Sequence, residues 1–576
     1  MALKKLSTGW LLVLCCRVWA DPSVNVPLEH WGYGFVERFE ARGVLQGIGD
    51  GIKPLSRGEM ARILDTITQR REQGLELSAA EKEELEQLRA EFAADMQPAG
   101  KGAANGGFYR YQCPQGAFAV DGLFRQQSDL FTGRSRAQAE RVFRTRLGGE
   151  VRGDFMDRIG FRLSFAQSRE QGSRNYVLRD DVYERRLELP QLKGGVADYH
   201  EGTAYLTFSW SLVEIEMGKD ELSWGPGPGD NLGLSHNAPS FDLIRLRVRY
   251  GAFKLASVTG FLRPCPDRPD SPVCGGDGDL QASYIVNGTA RTLEREKRLA
   301  AHRLEVAVAP WMDLGFEEMV VYGDRGLEPS YLNPLMFYWA AQSYLGDKDN
   351  VLMGVDADFH PGHGVRAYFA YVVDDLKKAR IFSSDFANKF SFQTGALWVD
   401  PLGFSDTDLR AEYVRIEPWI YTHKFPIDTY RHFDAPLGHS LGPNSDRLQA
   451  EWTRRFAGGW GTRLVASRTR HGDNEVLPDG SIRNVGGDLN LGWRPGDERE
   501  RKKFLDGQVS RRTLVGGRVW WRMRWPFSID AGYSYEWGEG VPLPPRWGSG
   551  VALKSRTGYG KGGQGHFSFE LRYGLL

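Results

Sequence analysis

The stretch FRTRLGGEVRGDFMDRIGFRLSF, residues 143–165, decides the fold of this chain. In its first half every second residue is apolar, small or uncharged: Phe143, Thr145, Leu147, Gly149, Val151, Gly153 and Phe155. The intervening residues are mostly charged: Arg144, Arg146, Gly148, Glu150, Arg152 and Asp154. A period of two is that of a β-strand, because successive side chains point to opposite faces. The alternation resumes after a short break at 156–158, which predicts an antiparallel hairpin.

The same alternation recurs along the chain from about residue 116 to its end. It is clear in four further segments: 244–250, 365–373, 519–525 and 567–575. Each segment fits the roughly ten residues that a tilted membrane strand needs. Counting them gives about 16 to 20 strands, as in outer-membrane barrels, although the up-and-down order breaks between residues 471 and 512.

The two faces of these strands favour a transmembrane barrel over a soluble sheet. The apolar faces carry Trp, Tyr and Phe near the strand ends, where a membrane's aromatic belts lie, and the other faces carry arginines and acids that a barrel lumen can solvate. Tight turns alternate with long polar stretches at 169–201, 263–300 and 420–445. We therefore predict an all-β fold, a transmembrane antiparallel β-barrel over residues 116–576. A secreted β-sandwich or solenoid is the alternative.

Two segments precede the barrel. Residues 1–20 have a basic start, a short apolar core and small residues at the end, which is the pattern of a secretory signal peptide. Residues 21–100 are predicted to be a periplasmic α-helical domain, because Ser56 with Glu59 and Ser78 with Glu81 are capping boxes. The Gly-rich run 98–107 is typical of a flexible linker.

Composition limits the partners. The chain has 74 basic and 74 acidic residues, and removal of residues 1–20 takes three basic residues and no acid. This balance is not that of a nucleic-acid-binding protein. The 69 glycines and 31 Phe, 22 Tyr and 17 Trp fit one large sheet with aromatic belts.

Cysteine spacing suggests one disulfide. Cys265 and Cys274 bound the polar stretch CPDRPDSPVC, and in an oxidising compartment a loop disulfide between them is expected. Metal binding is the competing interpretation, but no His or third Cys is near. We expect no cofactor and no metal.

Three stretches of the sequence resemble the Wzi family of capsule-assembly outer-membrane proteins. They are VPLEHWGYGFVERFEARGVL with KPLSRGEMARIL (26–64), MGKDELSWGPGPGDNLGLSHNAPSFDLIRLR (217–247), and EPSYLNPLMFYW with DNVLMGVDADFHP (328–361). The resemblance implies an 18-stranded barrel in the outer membrane of a Gram-negative bacterium, closed from the periplasmic side by the helical bundle. It also implies a lectin-like role, which is to attach or assemble capsular or extracellular polysaccharide at the cell surface.

Two presumed outer loops carry candidate polysaccharide contacts. The candidates are Trp224, Asp230, Asn231, Arg325, Tyr331, Tyr338 and Trp339. Aromatic faces stack on sugar C–H surfaces, while planar and charged groups bind hydroxyls and uronates. The alternative for each residue is that it packs loop on loop. A further basic stripe, Arg245, Arg247 and Arg249, is expected to pair with Glu214, Glu216 and the helical domain.

Enzyme signals are weak. Ser235 and His236 are adjacent, so their side chains leave opposite sides of an extended backbone and do not make a nucleophile–base pair. We therefore predict a non-enzymatic, monomeric binding protein whose partners are polysaccharide and outer-membrane lipids. A pore for small solutes is the first alternative, and a barrel hydrolase is the second.

Overall fold

Eighteen antiparallel strands close into one barrel in the computed structural model of this chain. The structure describes residues 23–96, 108–133, 140–156, 158–172, 196–264, 280–375, 383–433, 435–523, 526–539 and 562–574. We number the barrel strands in chain order: β1 (Gly116–Gly133), β2 (Glu140–Phe155), β3 (Ile159–Gly172), β4 (Val196–Trp210), β5 (Val213–Asp220), β6 (Phe241–Tyr250), β7 (Phe253–Leu262), β8 (Lys297–Ala309), β9 (Met312–Gly323), β10 (Asn350–Gly362), β11 (Val365–Asp375), β12 (Lys389–Val399), β13 (Thr407–Ile416), β14 (Ser445–Arg455), β15 (Trp460–Asp473), β16 (Gln508–Arg522), β17 (Phe527–Glu539) and β18 (Gly562–Tyr573).

The barrel closes between its last and first strands. β18 pairs with β1 from Gln564 opposite Gly133 to Tyr573 opposite Phe124. A short strand, Tyr109–Cys113, precedes β1 and pairs with its start. The predicted all-β barrel and the predicted strand near the end of the chain are confirmed. The order that broke between residues 471 and 512 is explained by the two-residue strands Glu475–Val476 and Ile482–Arg483, which lie between β15 and β16 outside the barrel ladder.

Burial in the strands is inverted relative to a soluble protein. Leu147 on β2 is 63% exposed, whereas Glu170 on β3 is fully buried. The apolar side chains face outward and the charged ones face the lumen, which is the arrangement of a transmembrane β-barrel. None of the helices among the described residues is both long and apolar enough to span a membrane.

Three helices form a domain before the barrel: α1 (Gly32–Ala41), α2 (Arg57–Glu72) and α3 (Ala79–Glu91). Both predicted capping boxes are present, with Ser56 accepting from the Glu59 amide and Ser78 accepting from the Glu81 amide. Phe35, Phe39 and Leu64 are among the buried residues of a shared apolar core. Helices this short gain most of their stability from such packing rather than from intrinsic propensity.

The helical domain (residues 23–96) contacts the barrel end where the strands are joined by tight turns. The Ser78 hydroxyl donates to Asp406 in the β12–β13 turn. Gly458, in the β14–β15 turn, donates its amide to Glu83 over 2.5 Å. Bacterial outer-membrane barrels have their short turns in the periplasm and their long loops outside. The contacts therefore put the helical domain at the end that corresponds to the periplasmic one.

At the other end, two long connections fold inward instead of outward. Residues 221–240 form one of them and residues 417–433 with 435–444 form the other, and both enter the lumen and pack on the inner faces of β6 to β13. Trp224, Leu232, Ile420, Tyr421 and Tyr430 lie in the apolar core that results. This core fills one side of the barrel, and the opposite side of the lumen stays open.

Two short helices, α4 (Pro329–Leu332) and α5 (Tyr338–Tyr344), lie between β9 and β10.

Candidate functional site

The open side of the lumen forms a cavity of about 1370 Å³, which we call the chamber. Its walls are mainly β1 to β4 and β13 to β18, its floor is the helical domain, and residues 228–240 form its inner side. Strand alternation positions every wall residue, because one face of each strand points into the lumen. The side chains that line the chamber walls are therefore mostly the polar ones that alternate along each strand.

Arginine dominates the positive charge of the chamber. Eleven arginines line it: Arg125, Arg144, Arg146, Arg162, Arg410, Arg447, Arg455, Arg463, Arg518, Arg522 and Arg572. No lysine occurs among the lining residues that the structure describes. Each of these arginines has a carboxylate within 4.0 Å. The chamber therefore alternates in sign, with planar guanidinium groups that suit carboxylates and hydroxyls.

Arg463 and Arg518 stand apart from the other nine. They lie directly opposite one another on β15 and β16. Their side chains are 50% and 48% exposed, more than any other arginine of the chamber. Arg463 comes no closer than 3.8 Å to Glu451, whereas Arg518 donates to Asp530 over 2.6 Å. Like charges directly opposite in a sheet are unfavourable, so this pair is a site where an anion would be stabilising.

Aromatic rings accompany the charges. Phe131 and His566 stack at 4.4 Å with nearly parallel planes, and Asp129 holds the His566 Nε2 at 2.9 Å. Near the floor, the Arg522 guanidinium lies 4.5 Å from the centre of the Trp31 ring. Flat rings beside guanidinium and carboxylate groups are the surface that carbohydrate recognition needs.

Ion pairs hold the floor against the walls. Arg366 on β11 is buried, and its Nη2 is 3.4 Å from Asp50 while its Nη1 is 3.3 Å from Glu37. On the other side, Arg522 donates to Glu84 over 2.9 Å. Buried pairs of this kind leave an uncompensated charge if one partner is removed, so they fix the position of the helical domain in the barrel.

His236 links the helical domain to the inward-folded segment. Its Nδ1 is 3.1 Å from Glu221 and its Nε2 is 3.7 Å from Glu29 of the helical domain. Burial opposes the charged imidazolium, but the two carboxylates outweigh burial and raise the pKa of His236 to about 10. The neighbouring His236 imidazolium in turn keeps the pKa of Glu29 well below its usual range. The contacts of His236 with Glu221 and Glu29 are therefore ion pairs across neutral pH.

Of the seven candidates from the sequence, one lines the chamber. The Asp230 carboxylate accepts from the Ser235 hydroxyl over 2.8 Å and from the Ser440 amide over 3.0 Å, and it borders the cavity. Ser235 thus donates to a carboxylate while His236 is held by Glu221 and Glu29, so these two neighbours do not form a catalytic dyad.

Trp224 and Asn231 are buried, and this corrects the expectation that they meet polymer in an outer loop. Trp224 is fully buried in the inner core, and residues 223–224 pair with residues 52–53 of the helical domain. The Asn231 side chain accepts from the Gly227 amide over 2.9 Å and donates to Ser223 over 3.0 Å. Both residues brace the WGPGPG segment that lies beside the chamber.

The other four candidates lie on the outside of the barrel. Arg325 makes a two-point ion pair with Asp349 at 2.9 and 2.6 Å, and the Tyr331 hydroxyl donates to the same carboxylate over 2.7 Å. Tyr338 is buried, and its hydroxyl donates to the Tyr331 carbonyl. Trp339 is half-buried beside them. None of these four borders the chamber.

The stripe of Arg245, Arg247 and Arg249 is paired as predicted. Arg245 contacts Glu216 at 2.5 Å and Arg247 donates to Glu214 over 2.9 Å. Arg249 and Arg247 both lie within 3.6 Å of Glu59 in the helical domain. Cys265 and Cys274 lie outside the described residues, so their predicted disulfide stays a prediction.

Sequence reasoning missed Arg463 and Arg518. Their signal was present, because both occupy the polar positions of alternating strands. Nothing in either segment shows that β15 and β16 place them opposite one another, however, since 34 residues without a regular pattern separate the strands.

Comparisons with known proteins agree with this architecture. The sequence profile of the family described as capsule assembly protein Wzi matches residues 137–540. The solved structure of Wzi from Escherichia coli, an outer-membrane protein described as a carbohydrate-binding β-barrel involved in group 1 capsule assembly, has a TM-score of 0.53 to this chain at 12% identity, and the match covers 95% of this chain and 99% of that chain. OccD3 (OpdP) and the outer membrane protein OprD, both from Pseudomonas aeruginosa, have TM-scores of 0.41 and 0.42 at 11% and 10% identity, and each match covers 79% of this chain and 92% of the other. TM-scores this low support no argument about this chain. No curated protein matches the chain.

Proposed function

This chain belongs to the family of the capsule assembly protein Wzi, and on that premise we propose that it binds capsular or extracellular polysaccharide at the cell surface. The barrel spans the outer membrane of a Gram-negative bacterium, and the helical domain lies in the periplasm. The protein acts as a monomer and by binding alone, without turnover. Its polymer is acidic, and its contact is the chamber.

The observation that carries this proposal is the pair of half-exposed arginines on facing strands. A uronate carboxylate between Arg463 and Arg518 would relieve their mutual repulsion and accept planar hydrogen bonds. Asp230 and the Phe131–His566 stack line other sides of the same chamber. Several weak contacts of this kind give useful avidity for a repeating polymer, because one chain presents many copies of the same group.

The helical domain argues against the pore alternative. It supplies the floor of the chamber, and ion pairs such as Arg522–Glu84 join it to the wall. A domain held in this way opposes solute flux through the lumen. We therefore propose that residues 23–96 close the barrel, so that polymer enters and leaves from the extracellular side.

Binding by the purified full-length protein tests the proposal. The ligand is the polysaccharide isolated from the strain that carries this protein, and titration calorimetry gives the affinity. We expect the double variant Arg463→Gln/Arg518→Gln to weaken binding roughly three- to tenfold, the effect of two exposed charge contacts. Added salt should weaken the wild-type protein and should have less effect on the double variant.

Arg470→Gln is the matched control, because Arg470 lies on the same strand and its side chain is similarly exposed. It lies seven positions after Arg463, and an odd offset along a strand puts it on the outward face. Equal binding by the double variant and the wild type would move the site out of the chamber, and shortening of the polymer by the purified protein would replace binding with hydrolysis. In a planar bilayer we expect no open-channel current. A steady current together with an absence of binding would favour the pore.

A further inference from the structure

The connection between β9 and β10 folds down over the outer wall of the barrel. On β8 and β9, Leu299, Ala301 and Met319 face the lumen and belong to the inner core. The residues between them, including Ala300 and Val320, face outward. Tyr331, Tyr338 and Ala341 from the connection pack on those outward residues in a separate cluster. Residues 329–346, which we call the external hairpin, therefore lie against the face that points toward the membrane.

A buried polar contact holds the hairpin in this position. Glu318 faces outward on β9, yet it is fully buried beneath the hairpin. Its carboxylate accepts from the amides of Tyr338 and Trp339 over 3.0 and 3.3 Å, and His302 Nε2 is 3.0 Å away. An acid on the outer face of a barrel is tolerated when it is covered and fully hydrogen-bonded.

The position of Glu318 along the barrel axis shows how far the hairpin reaches down the outer wall. Glu318 lies five residues from the end of β9 at Gly323, which is about 12 Å along the barrel axis for a strand tilted by about 40°. The apolar band of such barrels is about 25 Å tall. The hairpin therefore covers the upper part of that band and does not stand above it. Below the hairpin on the same face, Leu314 and Val355 are exposed apolar residues of the wall.

The hairpin's own outer surface is apolar and uncharged. The run PSYLNPLMFYWAAQSYLG contains no Asp, Glu, Lys, Arg or His, in a chain of which 26% is charged. Leu335 and Tyr344 are 83% and 88% exposed, and Leu332 and Phe337 are exposed as well. Large exposed apolar patches mark interaction surfaces. A surface with no charged group is poorly suited to an acidic polymer.

We propose that the external hairpin is a lipid-contacting element seated in the outer leaflet of the membrane, where its exposed side chains meet acyl chains and the interface. Two features select lipid over a second copy of the chain or a polysaccharide. The hairpin's exposed face is continuous with the wall residues Leu314 and Val355, which face lipid in a spanning barrel. The exposed Tyr344 and the half-buried Trp339 are of the types enriched at membrane interfaces. The inference rests on the outer-membrane location and is independent of polysaccharide binding.

Photocrosslinking in the full-length protein tests the proposal. A benzophenone amino acid replaces Leu335, and the purified protein is reconstituted in vesicles of phosphatidylethanolamine and phosphatidylglycerol. Val355 on the wall is the positive control. Val476 is the negative control, because it is exposed in the short hairpin that follows β15. Heat-shifted migration on a gel shows that each labelled variant is folded before irradiation.

We expect a mass increase of one phospholipid at position 335, with a yield similar to that at 355, and no such adduct at 476. A lipid adduct at 355 without one at 335 would overturn the proposal. Crosslinks from 335 to a second protein chain would assign the surface to self-association. Crosslinks from 335 to added polysaccharide would assign it to the polymer instead. Titration of the polymer against the Arg463→Gln/Arg518→Gln variant tests the chamber separately, so failure of one proposal does not decide the other.

Discussion

Among the residues that the structure describes, Glu318 is the one charged residue on the outward face of β9, and it binds the external hairpin. Replacing Glu318 by Ala removes this contact. Two backbone donors, the amides of Tyr338 and Trp339, then lose their acceptor beneath the hairpin. A buried unsatisfied group is unfavourable by about 1–3 kcal/mol, so two of them weaken docking of the hairpin by roughly 2–6 kcal/mol. A loss of about 2 kcal/mol, the lower end of this range, changes the equilibrium between the docked and the undocked hairpin by roughly 30-fold.

Hydrogen exchange measured by mass spectrometry on the full-length protein in detergent is the assay. We expect amides of α5 to exchange at least roughly 30-fold faster in Glu318→Ala, while amides of α2 in the helical domain keep their wild-type rates. Glu318→Gln is the matched control, because it keeps a carbonyl acceptor and should show a smaller acceleration. Exchange of α5 within about twofold of wild type in Glu318→Ala would refute this reasoning.

Three further predictions follow from other parts of the molecule. Trp224→Ala should destabilise the protein by about 3–5 kcal/mol because it empties a fully buried site, and unfolding in denaturant should show no comparable loss for Leu335→Ala, whose side chain is exposed. His236→Gln should reduce the resistance of the helical domain to protease. The difference from wild type should be largest below a pH of about 6.5 and should disappear as the pH rises through about 10, because the pKa of His236 is higher in the folded state than in the unfolded state. A difference that persists at higher pH would show that the charge of His236 is not its cause. Mass spectrometry of unreduced peptides should find Cys265 linked to Cys274, and two free thiols would reject the disulfide.

The strands were predictable because the membrane imposes a simple code. An outer-membrane strand must present apolar residues on one face, so the alternation in residues 143–165 contains most of the information about its environment. The capping boxes at Ser56 and Ser78 were equally readable, since each depends only on residues three positions apart. The alternation in residues 567–575 predicted in the same way that the sheet continues to the last strand, β18.

The paths of the connections were not predictable in the same way. Residues 221–240 are rich in Gly, Pro and polar residues, which is typical of an exposed loop. Their inward fold depends on contacts between Trp224 and residues 52–53, which are far apart in sequence. The external hairpin offered one local signal, the absence of charge over residues 329–346. Its aromatic residues suggest sugar contacts, although a charge-free surface is more typical of a lipid-facing element.

The most direct test of the central claim is the distribution of polysaccharide between cells and medium after deletion of the gene for this protein. On the proposal that the protein binds finished polymer, we predict an unchanged total amount, a smaller cell-bound fraction and a larger fraction in the medium. Complementation with the wild-type protein should restore the cell-bound fraction, and the Arg463→Gln/Arg518→Gln variant should restore it only in part. Loss of polymer synthesis, or an unchanged distribution in the deletion strain, would contradict the claim.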